Sequence, residues 1–323
     1  MATHELFKHL NYQSREKIED GKYVLILDEV LSVVEPYDGV TLGDMQLLKD
    51  SGWVTIDEEG FLIWNKEKID YDTKYDEMKY LADNRGLMYV NEKILVWRYP
   101  PDIFALFEEV YILTYMFNAS ILKYYFDMHD IRYDKKSLAN IEGQYQMVEF
   151  FKPDVSCYKE KIHIYQGRMN ENFSQKASGL SKAWFKSTTN RDNYNQIKNN
   201  IYNYFSRIQK AKSETIMWST FKDARNKLKG KGYSNSFIAC NCRSTNEYMD
   251  RYNLAYCVNL YLHPGVKQYF AKKDIVVDQD LYALSEMIQW IWRSRIRKGE
   301  EVYIYIPSTR MRKLIMDWLD LKM

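Results

Sequence analysis

A chain of 323 residues, 46% hydrophobic and 28% charged, is long enough for two ordinary domains and too apolar to be a disordered tail. No window of about 18 consecutive apolar residues occurs, and the charged start "MATHELFKHL" lacks the apolar stretch of a signal peptide, so a helical membrane span is excluded and a cytoplasmic protein without a membrane partner is expected. The net charge of +2 hides a division: residues 1–110 carry 12 Lys and Arg against 23 Asp and Glu, whereas residues 176–231 carry 13 against 3.

In chain order, Val24–Leu27 is a short apolar run with the acids Asp28 and Glu29 at its end, and it reads as a fully buried strand. "TLGDMQLLKDSGWVTIDEEGFLIWN" predicts a short helix capped by Thr41, then a hairpin turning at "DEEG". "YDTKYDEMKYLADNRG" has helical periodicity and stops at Gly86. "LMYVNEKILVWRYP" reads as strands, and "PDIFALFEEV" as a short helix opened by Pro101. Val110–Leu113 is a second buried-strand candidate, followed by a helix over 119–128.

"EKIHIYQG" predicts a strand stopped by Gly167, and helix is expected to dominate from about Leu180 to Lys229. "NSFIACN" and "LAYCVNLYL" read as two strands, "DLYALSEMIQWIWRSRIRKG" as a helix, "EEVYIYIPS" as a last strand, and "TRMRKLIMDWLDLK" as a helix capped by Ser308 or Thr309. Short apolar strands alternating with helices imply α/β layers on a largely parallel sheet.

The four cysteines, Cys157, Cys240, Cys242 and Cys257, lack paired zinc-type spacing and are expected to be reduced thiols in a core. The basic block 176–231 interleaves Trp184, Phe185, Tyr194, Tyr202, Tyr204, Phe205, Trp218 and Phe221. Such a block grips a polyanion and stacks on bases, or else it is an amphipathic face with the aromatics in the core and the lysines merely solvated.

Acids just after a parallel strand project into the ligand crevice, so Asp28 is placed to hold Mg2+ and Glu29 to orient or deprotonate water. Five segments carry a family resemblance. "ATHELFKHL", "LILDEV", "YILTYMF", "FIACNCRSTNEYMDRYNLAYCVN" and "QWIWRSRIR" stand in the order of the conserved motifs of superfamily 2 DEAD/DEAH-type helicases. The chain resembles the helicase-like proteins of that type carried by phages and mobile elements of low-GC bacteria.

That resemblance implies an α/β fold of two RecA-like domains, the first (1–118) truncated at its N-terminus, the second (119–323) bearing a helical basic insertion over about 174–232. ATP and Mg2+ would be the cofactors of an active form. The implied roles are catalysis for Asp28, Glu29, Arg293 and Arg297, with Asp28 on the metal, and cofactor contacts for Gln289, Thr114 and Asn246. Nucleic acid would be held by Lys198, Arg207, Lys210, Lys212, Arg225, Lys227, Arg243 and Thr245.

The pattern is incomplete. No Gly-x-x-x-x-Gly-Lys-Ser/Thr phosphate loop occurs, only 27 residues precede Asp28, and Leu31 stands where motif II has His or Asp. Two functions are therefore expected: most of a nucleic-acid-stimulated ATPase whose phosphate loop is supplied elsewhere, or a non-catalytic binding protein derived from a helicase, acting on nucleic acid or on a host protein. A partner, a second copy or the acidic hairpin region would cover the exposed edge of the incomplete first sheet.

Overall fold

The computed structural model describes residues 12–68, 74–170, 178–242 and 247–322. The chain divides into two compact units, Met1–Tyr133 with Leu262–Asp278, and Asp134–Tyr261 with Gln279–Met323.

The first unit opens with α1 (Tyr12–Asp20) and β1 (Val24–Leu27), continues with β2 (Val34–Pro36) and α2 (Leu42–Asp50), and then forms the antiparallel hairpin β3 (Val54–Ile56)–β4 (Leu62–Trp64). α3 (Asp76–Asp83), β5 (Leu87–Val90), β6 (Ile94–Arg98), β7 (Glu109–Ile112) and α4 (Ile121–Met128) follow. Local chemistry accounts for the boundaries. Thr41 Oγ1 accepts from Asp44 N at 3.1 Å while the Asp44 carboxylate accepts from Thr41 N at 3.0 Å, a reciprocal capping box that starts α2. Those bonds, with Tyr75 and Lys74, hold the Asp44 carboxyl well below the usual carboxylate range. The β3–β4 turn closes on Asp57, whose Oδ1 accepts from Phe61 N at 2.7 Å, and on Gly60, whose φ of +91° favours glycine.

The core of this unit is the antiparallel sheet β2-β6-β5, on which the helix that later completes the unit packs. A Cβ at Gly265 in that helix would lie 2.5 Å from Ile94 Cγ2 on β6, so only glycine permits the close approach. The two strands read as fully buried are not. β1 and β7 pair in parallel with each other alone among the described residues, and Val24 is 46% and Ile26 63% exposed. A RecA-like first domain is therefore absent from the described residues: β1 with β7 is the only parallel pairing of this unit. An apolar four-residue run identifies a strand without saying whether anything covers its faces.

The second unit begins with a hairpin that sequence reading left unassigned, β8 (Lys136–Ile141) and β9 (Gln144–Glu149). Its signal was present, a two-residue Glu142-Gly143 turn between alternating segments. β10 (Ile162–Ile164), α5 (Lys182–Lys186), α6 (Arg191–Asn203), β11 (Ile216–Ser219), α7 (Arg225–Leu228) and β12 (Asn253–Tyr256) follow. The chain then visits the first unit as α8 (Pro264–Ala271) and returns with α9 (Gln279–Ile291), β13 (Val302–Tyr305) and α10 (Thr309–Leu319), capped by Ser308.

Four parallel strands in the order β10-β13-β12-β11 form the central sheet. One face buries Trp218, Ala255, Cys257 and Tyr305 against Trp184, Ile197, Ile201, Tyr204 and Leu228 of α5, α6 and α7. β11 lies inside the stretch expected to be helical. Its four residues are all buried, and a short continuous apolar run cannot be told from buried helix by periodicity. "NSFIACN" contributes only a parallel bridge from Phe237 to Trp218 rather than a strand.

Tyr256 packs its ring on Trp290 of α9 at 5.3 Å, and its hydroxyl is fully buried with no hydrogen-bond partner. An unmatched buried hydroxyl costs about 1 kcal/mol or more, so Tyr256→Phe should raise the urea-unfolding free energy by about 1 kcal/mol. A loss of stability would mean that the hydroxyl is satisfied.

Candidate functional site

The acids after β1 and the hydroxyl after β7 do come together at one end of their two-stranded sheet. Leu27 pairs with Ile112 and Leu113 N donates to Leu27 O at 2.8 Å, so Asp28 and Thr114 follow the same C-terminal edge. Asp28 is exposed and Glu29 half-buried, and the Glu29 φ of +139° is a strained backbone value for a residue with a side chain. Thr114 Oγ1 donates weakly to Tyr115 O at 3.3 Å. Among the described residues no group of three or more His, Cys, Asp or Glu is placed to hold a metal.

The arginines lie in the second unit. Gln289 sits on α9 and bonds Ser285 Oγ at 3.3 Å. Arg293, just past that helix, is 9% exposed with its Nε unpartnered, whereas Arg297 is exposed. The pair assigned to one phosphate therefore has one member inside and one outside. Arg295 between them is structural: its guanidinium stacks on Tyr252 at 4.0 Å and pairs with Glu300 at 3.2 Å. Arg243, Thr245 and Asn246 lie outside the described residues.

The basic block resolves into two populations. Most of its aromatics are core: Trp184, Phe185, Tyr204, Phe205 and Trp218 are buried and Tyr194 and Phe221 half-buried, whereas Tyr202 is exposed. Lys227 is committed as well, donating to Phe185 O and covering the Tyr194 ring at 5.2 Å. Arg225 lies over Phe237 at 5.0 Å, and Lys198 is half-buried on α6. Arg207, Lys210, Lys212, Lys229 and Lys231 are exposed and have no ion-pair partner among the described residues.

One of these cations, Lys231, lies in the wall of a cleft of about 550 Å³, lined by Ser213, Glu214, Gly230, Lys231, Gly232, Tyr233, Ser234, Asn235, Ser236 and Arg251. Three chain segments converge there, one ahead of β11, one ahead of β12 and the turn 230–236. The cleft thus lies at the N-terminal ends of the parallel strands, opposite the edge at which sequence reasoning placed the ligand.

Main-chain bonds brace its walls. Arg251 Nη1 donates to Ser213 O at 2.8 Å, Ser236 Oγ to the same oxygen at 3.1 Å, and Ser234 Oγ to Gly230 O at 2.6 Å. The floor is tied to the core through Trp218 Nε1, which donates to Tyr233 O at 2.8 Å. Gly232 holds φ of +85°, so "KGKGYSNS" makes a tight turn that leaves its backbone open to a ligand. In sequence, Gly230 and Gly232 stand as the terminators of the stretch expected to be helical, and the Gly-Lys pair there lacks the following Ser or Thr of a phosphate loop. Alternating Gly and Lys followed by Ser-Asn-Ser was the available signal.

Two of the cysteines, Cys240 and Cys257, are held as thiols. Cys257 is buried, and burial, reinforced by the Glu286 carboxylate, pushes the Cys240 thiol up to about 12, far from a thiolate at neutral pH. Cys157 is exposed, contrary to the expectation of four core thiols.

Comparison with known proteins places this geometry. Residues 156–319 match the YonV C-terminal Rossmann-like domain, and residues 34–97 match the YonV middle domain. The chain is 40% identical over 329 aligned residues to the SPbeta prophage-derived uncharacterized protein YonV of Bacillus subtilis (strain 168), with 99% of this chain and 79% of that protein covered. The chain belongs to the YonV family. No solved structure matches it.

Membership in the YonV family corrects the helicase resemblance. The match to the YonV relative runs through all five segments, and the C-terminal match spans the arginine helix and the four-stranded sheet. A short strand closed by acids and a helix ending in arginines are common parts of layered α/β proteins, which is why five such segments in order misled. The ATP expectation and the γ-phosphate role of Arg293 and Arg297 rested on that resemblance. The phage association that came with it agrees with the prophage origin of the relative. Among the described residues, no helix is long and apolar enough to cross a membrane.

Proposed function

We propose that this YonV-family chain is a nucleic-acid-binding protein that holds the phosphate backbone in the cleft ahead of β11 and β12. The observation that supports it is the coincidence of an open cleft of about 550 Å³ with Lys231 and Arg251 in its walls and with the exposed Lys212 and Lys229 next in sequence to the lining residues Ser213 and Gly230. A guanidinium has five N–H donors, and the bond to Ser213 O uses one of those on Arg251. The Ser213 hydroxyl, the Asn235 amide and the glycine backbone add neutral donors suited to phosphate oxygens, since the Ser234 and Ser236 hydroxyls already donate to the main chain. Glu214 at the rim opposes an anion, so the balance depends on the surrounding lysines. Tyr233, the one aromatic in the cleft lining, is buried, so binding on this reading is electrostatic and tolerant of sequence.

The test is fluorescence anisotropy with a labelled single-stranded oligonucleotide over a salt titration. The logarithm of the affinity should fall linearly with the logarithm of salt, with a slope of about −0.7 per phosphate contact. Lys231→Glu should weaken binding about tenfold, ~1.4 kcal/mol. Lys313→Glu, on the exposed side of α10, should leave binding unchanged. Absence of binding by the wild-type chain at low salt, or equal affinity of the two variants, would refute the reading.

A further inference from the structure

The hairpin β8–β9 is the part of the second unit that the central sheet does not use. Its strands pair only with each other among the described residues. The pairs Lys136–Glu149, Leu138–Met147 and Asn140–Tyr145 lie on one face, on which Leu138 and Met147 are each 61% exposed and Tyr145 77%. A lone two-stranded ribbon is marginal in water, and it gains independent stability from further strands or a packed helix. We infer that β9 pairs with β9 of a second copy of this chain about a two-fold axis at Met147, joining the two hairpins into one four-stranded antiparallel sheet.

The backbone is prepared for that register. Glu142 and Gly143 both have positive φ, +53° and +86°, the signature of a two-residue primed turn, so Ile141 and Gln144 form the hydrogen-bonded closing pair. Alternation along an antiparallel ladder then turns the N–H and C=O groups of Tyr145, Met147 and Glu149 away from β8. Centring the axis on Met147 sets Met147 against its own copy and Tyr145 against Glu149. All three outward residues find hydrogen-bonding counterparts.

Side chains choose the same register and the same partner. A row Leu138–Met147–Met147–Leu138 crosses the four strands, so the apolar side chains meet at the axis. Tyr145 can donate its phenol O–H to the Glu149 carboxylate of the other copy, and just beyond the strands Glu142 comes opposite Lys152. No like charges face each other. Pairing through the β8 edge about Leu138 would instead set Asp134 against Glu142, two acids. A strand complementary to itself at each charged position fits a second copy, the isologous contact of a two-fold dimer.

Light scattering on the full chain at micromolar concentration should give a dimer. Met147→Lys sets two ammonium groups at the axis and should give a monomer with unchanged circular dichroism, whereas Gln146→Lys, the same charge on the opposite face of β9, should stay dimeric. In a Cys157→Ser background, Met147→Cys should be captured as a covalent dimer by a thiol oxidant. A monomeric wild-type chain, a dimer that survives Met147→Lys, or equal loss in both lysine variants would overturn the inference. Oligonucleotide binding through the cleft is a separate readout and is expected to persist in Met147→Lys.

Discussion

Trp218→Ala should destabilise the second unit by about 3–5 kcal/mol, the usual range for deleting a fully buried tryptophan from a packed core. Trp218 is 0% exposed at the centre of β11, edge-on to Tyr233 at 5.3 Å and to Phe237 at 5.0 Å, within the cluster that joins the sheet to α5, α6 and α7. Its indole N–H also satisfies Tyr233 O, so truncation adds an orphaned carbonyl to the cavity. Trp218→Phe separates the two effects: most of the ring volume stays and the hydrogen bond goes, for a smaller cost of about 1–2 kcal/mol. Urea unfolding followed by far-ultraviolet circular dichroism measures both. A loss below about 1 kcal/mol for the alanine variant would contradict the packing described. Because Tyr233 lines the cleft, Trp218→Phe should also weaken oligonucleotide binding.

Acid should unfold the first unit partly through one histidine. The His129 ring, after α4, lies tilted against Tyr125 with centroids 4.5 Å apart, and its Nε2 lies 3.2 Å from the Tyr269 hydroxyl. Burial first, then the neighbouring charges of Arg98 and Lys273, lower its pKa to about 4, with Asp130 opposing. The folded state thus binds this proton less readily than the unfolded chain. Stability is fully present above about pH 6.5, where both states are neutral, and falls as pH drops from about 6.5 towards about 4.

The full shift corresponds to about 3 kcal/mol, and partial solvent access reduces the expected loss to about 2 kcal/mol. His129→Gln removes the titration, so the stability difference between variant and wild type should shrink by that amount across the same window. Urea midpoints at pH 7 and pH 4.5 decide it. A pH-independent difference between the two proteins would show that His129 is protonated equally in both states.

Much of the architecture was legible because it follows from local chemistry. The Thr41 cap, the Asp57–Gly60 turn and the cap at Ser308, one of the two residues the sequence offers there, lie where the sequence places them, since each is set by side chains bonding their own backbone within a few residues. β10, β12, β13 and α9 were equally visible as apolar runs and periodicity. The cleft was not, because its walls come from residues near 213, 230 and 251 that are remote in sequence, and "KGKGYSNS" carries no motif by itself.

By itself the sequence determined the α/β composition, the acidic first third, the basic block and the caps of the helices that begin at Leu42 and Thr309, because propensity, charge and short-range hydrogen bonds act along the chain. Burial was decided only by the tertiary structure. The same apolar tetrapeptide pattern became an exposed strand at Val24–Leu27 and a fully enclosed one at Ile216–Ser219, and Trp218 and Tyr204 became core while Lys231 stayed in water. Hydrophobic free energy depends on the area that distant segments remove from solvent, and no local window of residues contains that quantity.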